Sequence, residues 1–171
     1  LAASTALNNR CDRYGGGAAI WGMTGFADRV LFVGNSASNA GGGLYLEDGI
    51  VLNSTFSNNW SADGGGIYIM AGSTSANCRL VGNWASHDGG GFNGNSSTNE
   101  ARRWFVSGYT VISNTAGSGG GGGFCYSGEV RACTFLANTS GWGGGVYAWS
   151  APIFDSAFSN NLAANGGGVY L

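Results

Sequence analysis

A two-part motif recurs every 22 to 32 residues along this chain and constrains its fold more than any other feature. The first part is Phe-x-x-Asn, as in 56–59, and the second is a run of glycines followed by an alternating triplet, as in 64–69. The third glycines stand at Gly17, Gly43, Gly66, Gly91, Gly123, Gly145 and Gly168. A period in the twenties over the whole length predicts a solenoid in which each repeat forms one coil.

The residues between the glycine runs predict short β-strands. After each run, an alternation such as Ile67-Tyr68-Ile69 points the aliphatic residues inward and the tyrosine outward. A turn and a second strand follow, for example Ile50 to Phe56, before the next Phe-x-x-Asn corner. Two or three strands per coil, with no helical period, predict an all-β, right-handed parallel β-helix of about seven coils. We expect a single domain, 1–171, with uncapped ends.

Stacked coils place equivalent residues above one another, so each repeated residue type predicts a column. Glycine runs allow positive φ and a close approach between coils. The asparagines predict a buried amide ladder that satisfies backbone groups at the bend: Asn9, Asn35, Asn59, Asn83, Asn114, Asn138 and Asn161. The interior is expected to be filled by Ala18, Leu44, Ile67, Phe92, Phe124, Val146 and Val169. The longest spacing predicts a polar loop inserted at about 95–103.

The composition sets aside several classes of protein. Charged residues make up 9% of the chain and the net charge is −2, so we expect no binding to nucleic acid or to an anionic membrane surface. No segment is apolar for long enough to predict membrane insertion. The 34 glycines lack the strict Gly-X-Y period of collagen. We expect no cofactor and no metal, because His87 is the only histidine and its acidic neighbours are scattered.

The four cysteines favour small buried thiols over a disulfide framework. Cys78 and Cys133 occupy equivalent positions two coils apart, roughly 9.5 Å at a strand spacing of ~4.8 Å, which is too far for a disulfide. Cys11 falls where other coils have alanine. Cys125–Cys133 is the one pair for which a bridge stays open.

Catalysis is not expected. Many parallel β-helices are polysaccharide lyases or hydrolases, which need carboxylates clustered on one exposed sheet, often with Arg, Lys or calcium. Asp63 and Asp88 share one corner in successive coils, but no basic residue stands at the matched position. The strings Asn-Thr-Asp and Arg-Ile-Lys, which mark the pectin-hydrolase family, are absent. A polysaccharide lyase or hydrolase is therefore the third choice of function.

Outward aromatic residues form the candidate binding or association surface. It comprises an exposed column that is interrupted at Asn93 and Cys125, and a tryptophan pair after the ladder asparagines: Tyr45, Tyr68, Tyr147, Tyr170, Trp60 and Trp84. Such columns bind sugar rings or partner chains, and they also stabilise a sheet face by cross-strand stacking. Both interpretations stay open. Asn53 and Asn95, in Asn-x-Ser/Thr sequences outside the ladder, are candidate glycosylation sites.

Phe-x-x-Asn followed by Gly-Gly-(Gly/Ala)-aliphatic resembles the polymorphic outer-membrane-protein repeats of autotransporter adhesins, and bacterial right-handed parallel β-helix surface proteins more broadly. The resemblance covers essentially the whole chain. It implies an extracellular or cell-surface passenger region with an adhesive or structural use.

Two functions are compatible with this resemblance. The sequence ends at Val169-Tyr170-Leu171, in mid-coil, and residue 1 of a second copy would continue the repeat with nearly a full coil. This predicts an extracellular structural protein that assembles head-to-tail with itself into a surface filament, rising roughly 34 Å per chain at ~4.8 Å a coil. The alternative is an adhesin fragment that binds a glycan or host surface through the aromatic column.

Overall fold

The computed structural model describes residues 1–96 and 102–171, which form seven stacked coils of short strands. Coil 1 contains β1 (Thr5–Leu7), β2 (Arg10–Cys11), β3 (Ala18–Trp21) and β4 (Phe26–Asp28). Coil 2 contains β5 (Leu31–Val33), β6 (Ser36–Ala37), β7 (Leu44–Glu47) and β8 (Ile50–Leu52). Coil 3 contains β9 (Thr55–Ser57), β10 (Trp60–Ser61), β11 (Ile67–Met70) and β12 (Thr74–Ala76).

The later coils repeat this order. Coil 4 contains β13 (Arg79–Val81), β14 (Trp84–Ala85), β15 (Phe92–Asn95) and β16 (Phe105–Ser107). Coil 5 contains β17 (Thr110–Ile112), β18 (Thr115–Ala116), β19 (Gly123–Tyr126) and β20 (Glu129–Arg131). Coil 6 contains β21 (Thr134–Leu136), β22 (Thr139–Trp142), β23 (Val146–Trp149) and β24 (Ile153–Phe154). Coil 7 contains β25 (Ala157–Ser159), β26 (Leu162–Asn165) and β27 (Val169–Tyr170).

Equivalent strands of successive coils pair in parallel and build four sheets. Sheet 1 is β1-β5-β9-β13-β17-β21-β25, and sheet 2 is β2-β6-β10-β14-β18-β22-β26. Sheet 3, which follows the glycine runs, is β3-β7-β11-β15-β19-β23-β27, and sheet 4 is β4-β8-β12-β16-β20-β24. The predicted all-β parallel β-helix of about seven coils is confirmed. Within the described ranges there is no helix long and apolar enough to cross a membrane.

The expectation of two or three strands per coil is wrong, because each complete coil has four. The predicted second strand, for example Ile50 to Phe56, is divided at Asn53, whose φ of 50° lies in the left-handed region. Asn77 and Ala132 divide the equivalent segments with φ of 55° and 54°. A single left-handed residue bends an extended chain sharply. At these positions the chain therefore turns from a strand of sheet 4 to a strand of sheet 1.

The corner glycine of coil 5 is Gly122 and not the predicted Gly123. Gly123 is the first residue of β19, where it pairs with Phe92 and Val146. The ring of Phe92 fills the space that a Cβ at Gly123 would need. Phe124, predicted to fill the interior, therefore faces outward and pairs with Asn93 and Tyr147.

Aromatic and aliphatic side chains fill the interior of the coils. The rings of Phe32 and Phe56 stack with centroids 4.7 Å apart, and those of Phe135 and Phe158 with centroids 4.9 Å apart. Trp104, which the sequence did not single out, is fully buried in coil 4. Gly94 and Gly128 leave room for its indole, because a Cβ at either glycine would overlap it.

All four cysteines are free thiols. Cys78, Cys125 and Cys133 are buried in the core and Cys11 is half-buried. The predicted inserted loop at 95–103 lies largely outside the described residues.

Candidate functional site

The asparagines form a continuous ladder along the bend between sheets 1 and 2. The Oδ1 atom of Asn59 accepts the backbone N–H of Asn35 at 2.9 Å and the side-chain amide of Asn35 at 3.1 Å. Its own Nδ2 donates to Asn83 Oδ1 at 2.9 Å and to the carbonyl of Phe32 at 2.9 Å. The same pattern joins Asn9, Asn35, Asn59, Asn83, Asn114, Asn138 and Asn161. The ladder satisfies buried polar groups.

The glycine corner brings neighbouring coils into backbone contact. A Cβ at Gly66 would lie 2.5 Å from the carbonyl oxygen of Gly91, and a Cβ at Gly43 would lie 2.6 Å from that of Gly66. Gly17, Gly91, Gly122, Gly145 and Gly168 occupy the same column. These glycines and the asparagine ladder hold the outward strands of sheet 3 in register.

The outward side of sheet 3, together with the adjoining residues before the glycine runs, is an aromatic face, which includes six of the seven tyrosines. We define its N-terminal cluster as Tyr14, Trp21, Tyr45 and Tyr68, in coils 1–3. Its C-terminal cluster is Phe124, Tyr126, Trp142, Tyr147, Trp149 and Tyr170, in coils 5–7. In both clusters the rings touch across successive coils, mostly edge-to-face or tilted, so the face offers aromatic rings and phenol hydroxyls.

Tyr45 does not fit the predicted exposed column, since it is only 6% exposed. The rings of Tyr14, Trp21 and Tyr68 cover it, with centroids 5.0, 4.7 and 5.5 Å away. Its hydroxyl donates to Glu47 at 3.3 Å. Tyr68, Tyr147 and Tyr170 are half-buried. The ring centroids of Tyr147 and Tyr170 are 5.2 Å apart. The predicted interruption at Cys125 is also wrong, because Cys125 faces inward and Phe124 continues the column.

Coil 4 separates the two clusters with a polar row, Asp88, Asn93 and Asn95. The row borders a groove of about 370 Å³, lined by Asp63, Tyr68, Asp88, Asn93, Asn95, Phe124 and Tyr126. A larger cavity of about 590 Å³ lies at the outer edge of coil 7, between Tyr147 and Leu171. We favour the groove as the binding site because it combines buried polar atoms with aromatic walls.

Two carboxylates stand at the edge of the groove. The backbone N–H of Asp88 donates to Asp63 Oδ1 at 3.2 Å, and that of Gly119 donates to Asp88 Oδ1 at 2.8 Å. Burial raises the pKa of Asp63 above its ordinary value. Burial also raises the pKa of Asp88, and the negative charge of Asp63 adds to that effect. The charged groups that line the described part of the groove are the carboxylates of Asp63 and Asp88, which accept hydrogen bonds.

Asn93 forms the floor of the groove between the two clusters. Asn93 is 4% exposed, and its Oδ1 atom has no hydrogen-bond partner among the described residues. Asn95, beside it, donates its Nδ2 to the hydroxyl of Tyr68 at 3.0 Å. A buried carbonyl without a partner is unusual in a folded protein and calls for an explanation.

Trp60, Trp84 and Asn53 lie away from this groove, whereas Asn95 lines it. Trp60 and Trp84 pair on sheet 2, 40% and 39% exposed, with ring centroids 5.8 Å apart. Asn53 is exposed and donates to Asp28 Oδ1 at 2.8 Å, whereas Asn95 is half-buried in the groove. As glycosylation sites the two therefore differ in access, and Asn53 is the more open.

Sequence reasoning missed most of the aromatic face. The repeated tyrosine does not mark Tyr14, Trp21, Tyr126, Trp142 or Trp149, because their positions lie one column to either side of it. The alternation itself was a signal, since the second residue after the predicted tyrosine position also faces outward. Asn93 was noted only as an interruption.

The four sheets, the ladder and the glycine corner together define a parallel β-helix repeat protein. The family model of the Chlamydia polymorphic membrane protein repeat matches residues 29–47 and 53–70. Each matched segment runs from the corner before sheet 1, through Phe-x-x-Asn and the glycine run, to the end of a sheet 3 strand. The chain is thus a β-helix protein with repeats similar to those of polymorphic membrane proteins. A search of curated protein sequences found no match.

Proposed function

We propose that this chain is part of a surface-displayed adhesive β-helix and that its aromatic face binds carbohydrate. The repeat match indicates a surface or outer-membrane-associated protein. The observation that carries the binding proposal is the division of ten aromatic side chains, in contact with one another, into two clusters around one polar row. Aromatic rings pack on apolar ring faces, and polar atoms between them orient a ligand that has both kinds of surface.

The experiment is glycan binding by the purified chain and matched variants. Tyr68→Leu and Tyr147→Leu keep an apolar side chain but remove the aromatic ring from one cluster each. We expect each to weaken binding of a glycan ligand at least tenfold, measured by calorimetry after an initial glycan array. Phe105→Leu is the control, because Phe105 is 46% exposed on sheet 4, away from the aromatic face. Equal binding by all variants would contradict this proposal.

Head-to-tail assembly stays a prediction and is the second candidate. Its support is the self-complementarity of the coils, since each coil presents the same asparagine and the same strand edges to the next. A further coil extends the ladder whether it comes from the same chain or from a second copy. Exposed strand edges pair readily with other strands.

Electron microscopy at several protein concentrations tests this assembly. Thin fibres with an axial repeat of about 34 Å, seven coils at ~4.8 Å each, would support it. Asn161→Asp replaces the amide at the coil 7 end of the ladder by a carboxylate. A carboxylate cannot donate to the asparagine of the next coil, so we expect this variant to form shorter fibres. Short single rods at every concentration would contradict head-to-tail assembly and leave the binding proposal untouched.

A further inference from the structure

The outward column of sheet 3 has a gap that is one side chain wide. Tyr68, Asn93 and Phe124 are in register on three successive strands. Elsewhere in this column neighbouring rings are 5.1 to 5.5 Å apart. Two strand spacings, about 9.6 Å, separate the strands that carry Tyr68 and Phe124. A ring placed above the intervening strand would lie one strand spacing, ~4.8 Å, from each of these strands, a separation within the range of ring contacts.

The floor of the gap offers an unused hydrogen-bond acceptor. Asn93 Oδ1 is buried and unpaired in the described structure, and leaving such a group unsatisfied costs free energy of folding. An apolar residue at position 93 would avoid that cost, and an aromatic residue would complete the column. A ligand that donates a hydrogen bond to Asn93 Oδ1 would explain why this position carries an amide.

The edge of the gap carries further acceptors and therefore restricts the ligand. Asp63 and Asp88 each accept one backbone N–H, which leaves oxygen atoms free for a ligand. The two carboxylates repel acidic ligands such as uronic acids. The groove thus combines two aromatic walls with three acceptor groups at its floor and edge. A hydroxyl-rich ring with apolar faces matches this arrangement.

We propose that the gap over Asn93 is a subsite for one pyranose ring of a neutral sugar, stacked between Tyr68 and Phe124 with a hydroxyl donating to Asn93 Oδ1. This inference rests on the proposed carbohydrate binding and specifies where one ring sits and which sugars it excludes. Asp63 and Asp88 accept hydroxyl groups from the edge of the same ring.

The test is a titration of the isotope-labelled chain with neutral hexoses, with glucuronic acid as the acidic counterpart, followed by amide NMR. We expect the side-chain amide signal of Asn93 to shift with the hexose that binds and not with glucuronic acid. Asn93→Tyr, which fills the gap, should lose this monosaccharide binding at least tenfold. Asn93→Leu retains the volume but removes the acceptor and should also weaken binding at least tenfold.

The outcomes separate this subsite from the broader proposal. If glycans bind the wild type and both Asn93 variants equally, the subsite is wrong while carbohydrate binding stands. If hexoses shift signals elsewhere on the face but not at Asn93, the subsite is also wrong. If no glycan and no hexose binds the wild type, the proposed function itself fails. Thermal unfolding of the variants shows that each is folded, and Phe105→Leu again serves as the unaffected control.

Discussion

Each of the five inner ladder asparagines, from Asn35 to Asn138, uses its whole carboxamide, which makes this residue hard to replace. The oxygen accepts two N–H groups from the preceding coil, and the amide nitrogen donates to the next oxygen and to a strand carbonyl. Leucine would fill a similar volume and satisfy none of these groups. The column is therefore fixed by polar satisfaction and not by packing.

Replacing one inner ladder residue should cost more than replacing the outermost one. Asn83→Ala leaves the Phe56 carbonyl and two N–H groups of Asn59 without partners in a buried site. We expect a loss of at least about 3 kcal/mol in the free energy of unfolding. Asn161 is half-buried, so water replaces part of its bonds and Asn161→Ala should cost about 1 kcal/mol. Guanidinium unfolding followed by circular dichroism measures both, and equal losses would contradict this account.

The carboxylate of Asp63 is expected to reduce stability at neutral pH. Burial raises its pKa in the folded chain above the ordinary value of 3.8. Its favourable contribution is therefore fully present below that value and is lost as the pH rises through the folded pKa. Asp63→Asn keeps an oxygen for the backbone N–H of Asp88 and removes the charge. The variant should gain stability over the wild type as the pH rises from 3 to 7, and should bind the sugar more weakly.

Thermal unfolding at a series of pH values tests this behaviour. The stability difference between Asp63→Asn and the wild type should grow with pH and then level off. A difference that stays constant from pH 3 to 7 would show that the carboxylate titrates normally. Asp12→Asn, at an exposed carboxylate in coil 1, is the matched control.

At the scale of the elements, the corners are set by residues with positive φ. The corner before the ladder asparagine has φ of 63° at Gly82 and 55° at Ala137. Alanine is strained there by about 1–2 kcal/mol. Glycine is not strained, but it has more conformational entropy in the unfolded chain and loses more of it on folding. We expect Ala137→Gly to stabilise the fold by ~0.5 kcal/mol.

The reverse change in the same column should be harmful. A Cβ at Gly82 would lie 2.7 Å from Asn58 Oδ1, so Gly82→Ala adds a clash to the backbone strain and should cost at least ~1 kcal/mol. Chemical unfolding of both variants gives the comparison. If the two substitutions shifted stability in the same direction, corner strain would not be the deciding factor.

The repeats predicted the coils well, and the errors have identifiable causes. Parallel stacking followed from the period, because glycine runs and Phe-x-x-Asn corners recur together. Gly123 was misassigned because a run of five glycines, 119–123, contains no side chain to mark the register. The sequence does not mark the division of the second strand at Asn53, because the equivalent left-handed positions carry different residue types: Arg29, Asn77, Ala132 and Asp155.

Long-range packing explains what remained hidden. Trp104 fills the interior only because Gly94 and Gly128, in coils 4 and 5, leave room for it. Likewise the groove at Asn93 depends on Tyr68 and Phe124, which come from different coils. Neither relation is visible in one repeat taken alone. Both depend on the register, which the glycine run obscured.

At the scale of the whole molecule, the aromatic face is a long surface across the coils, with Asp63 and Asp88 beside its polar row. Six strand spacings separate coil 1 from coil 7, about 29 Å. The N-terminal and C-terminal clusters lie on either side of the polar row, so under the proposed function a long ligand would contact both and a short one only one. Linked contacts of this kind raise affinity through effective concentration.

Affinity should therefore depend on the length of a neutral oligosaccharide. Chains too short to reach from the Asn93 gap into the C-terminal cluster should bind like a monosaccharide, and longer chains at least tenfold more tightly. Trp149 is 60% exposed in that cluster, so Trp149→Leu should remove most of the gain with length while monosaccharide binding at Asn93 is unchanged. Calorimetry with an oligosaccharide series measures this. If Trp149→Leu weakened monosaccharide and long-chain binding equally, the two clusters would not act as separate contacts along one ligand.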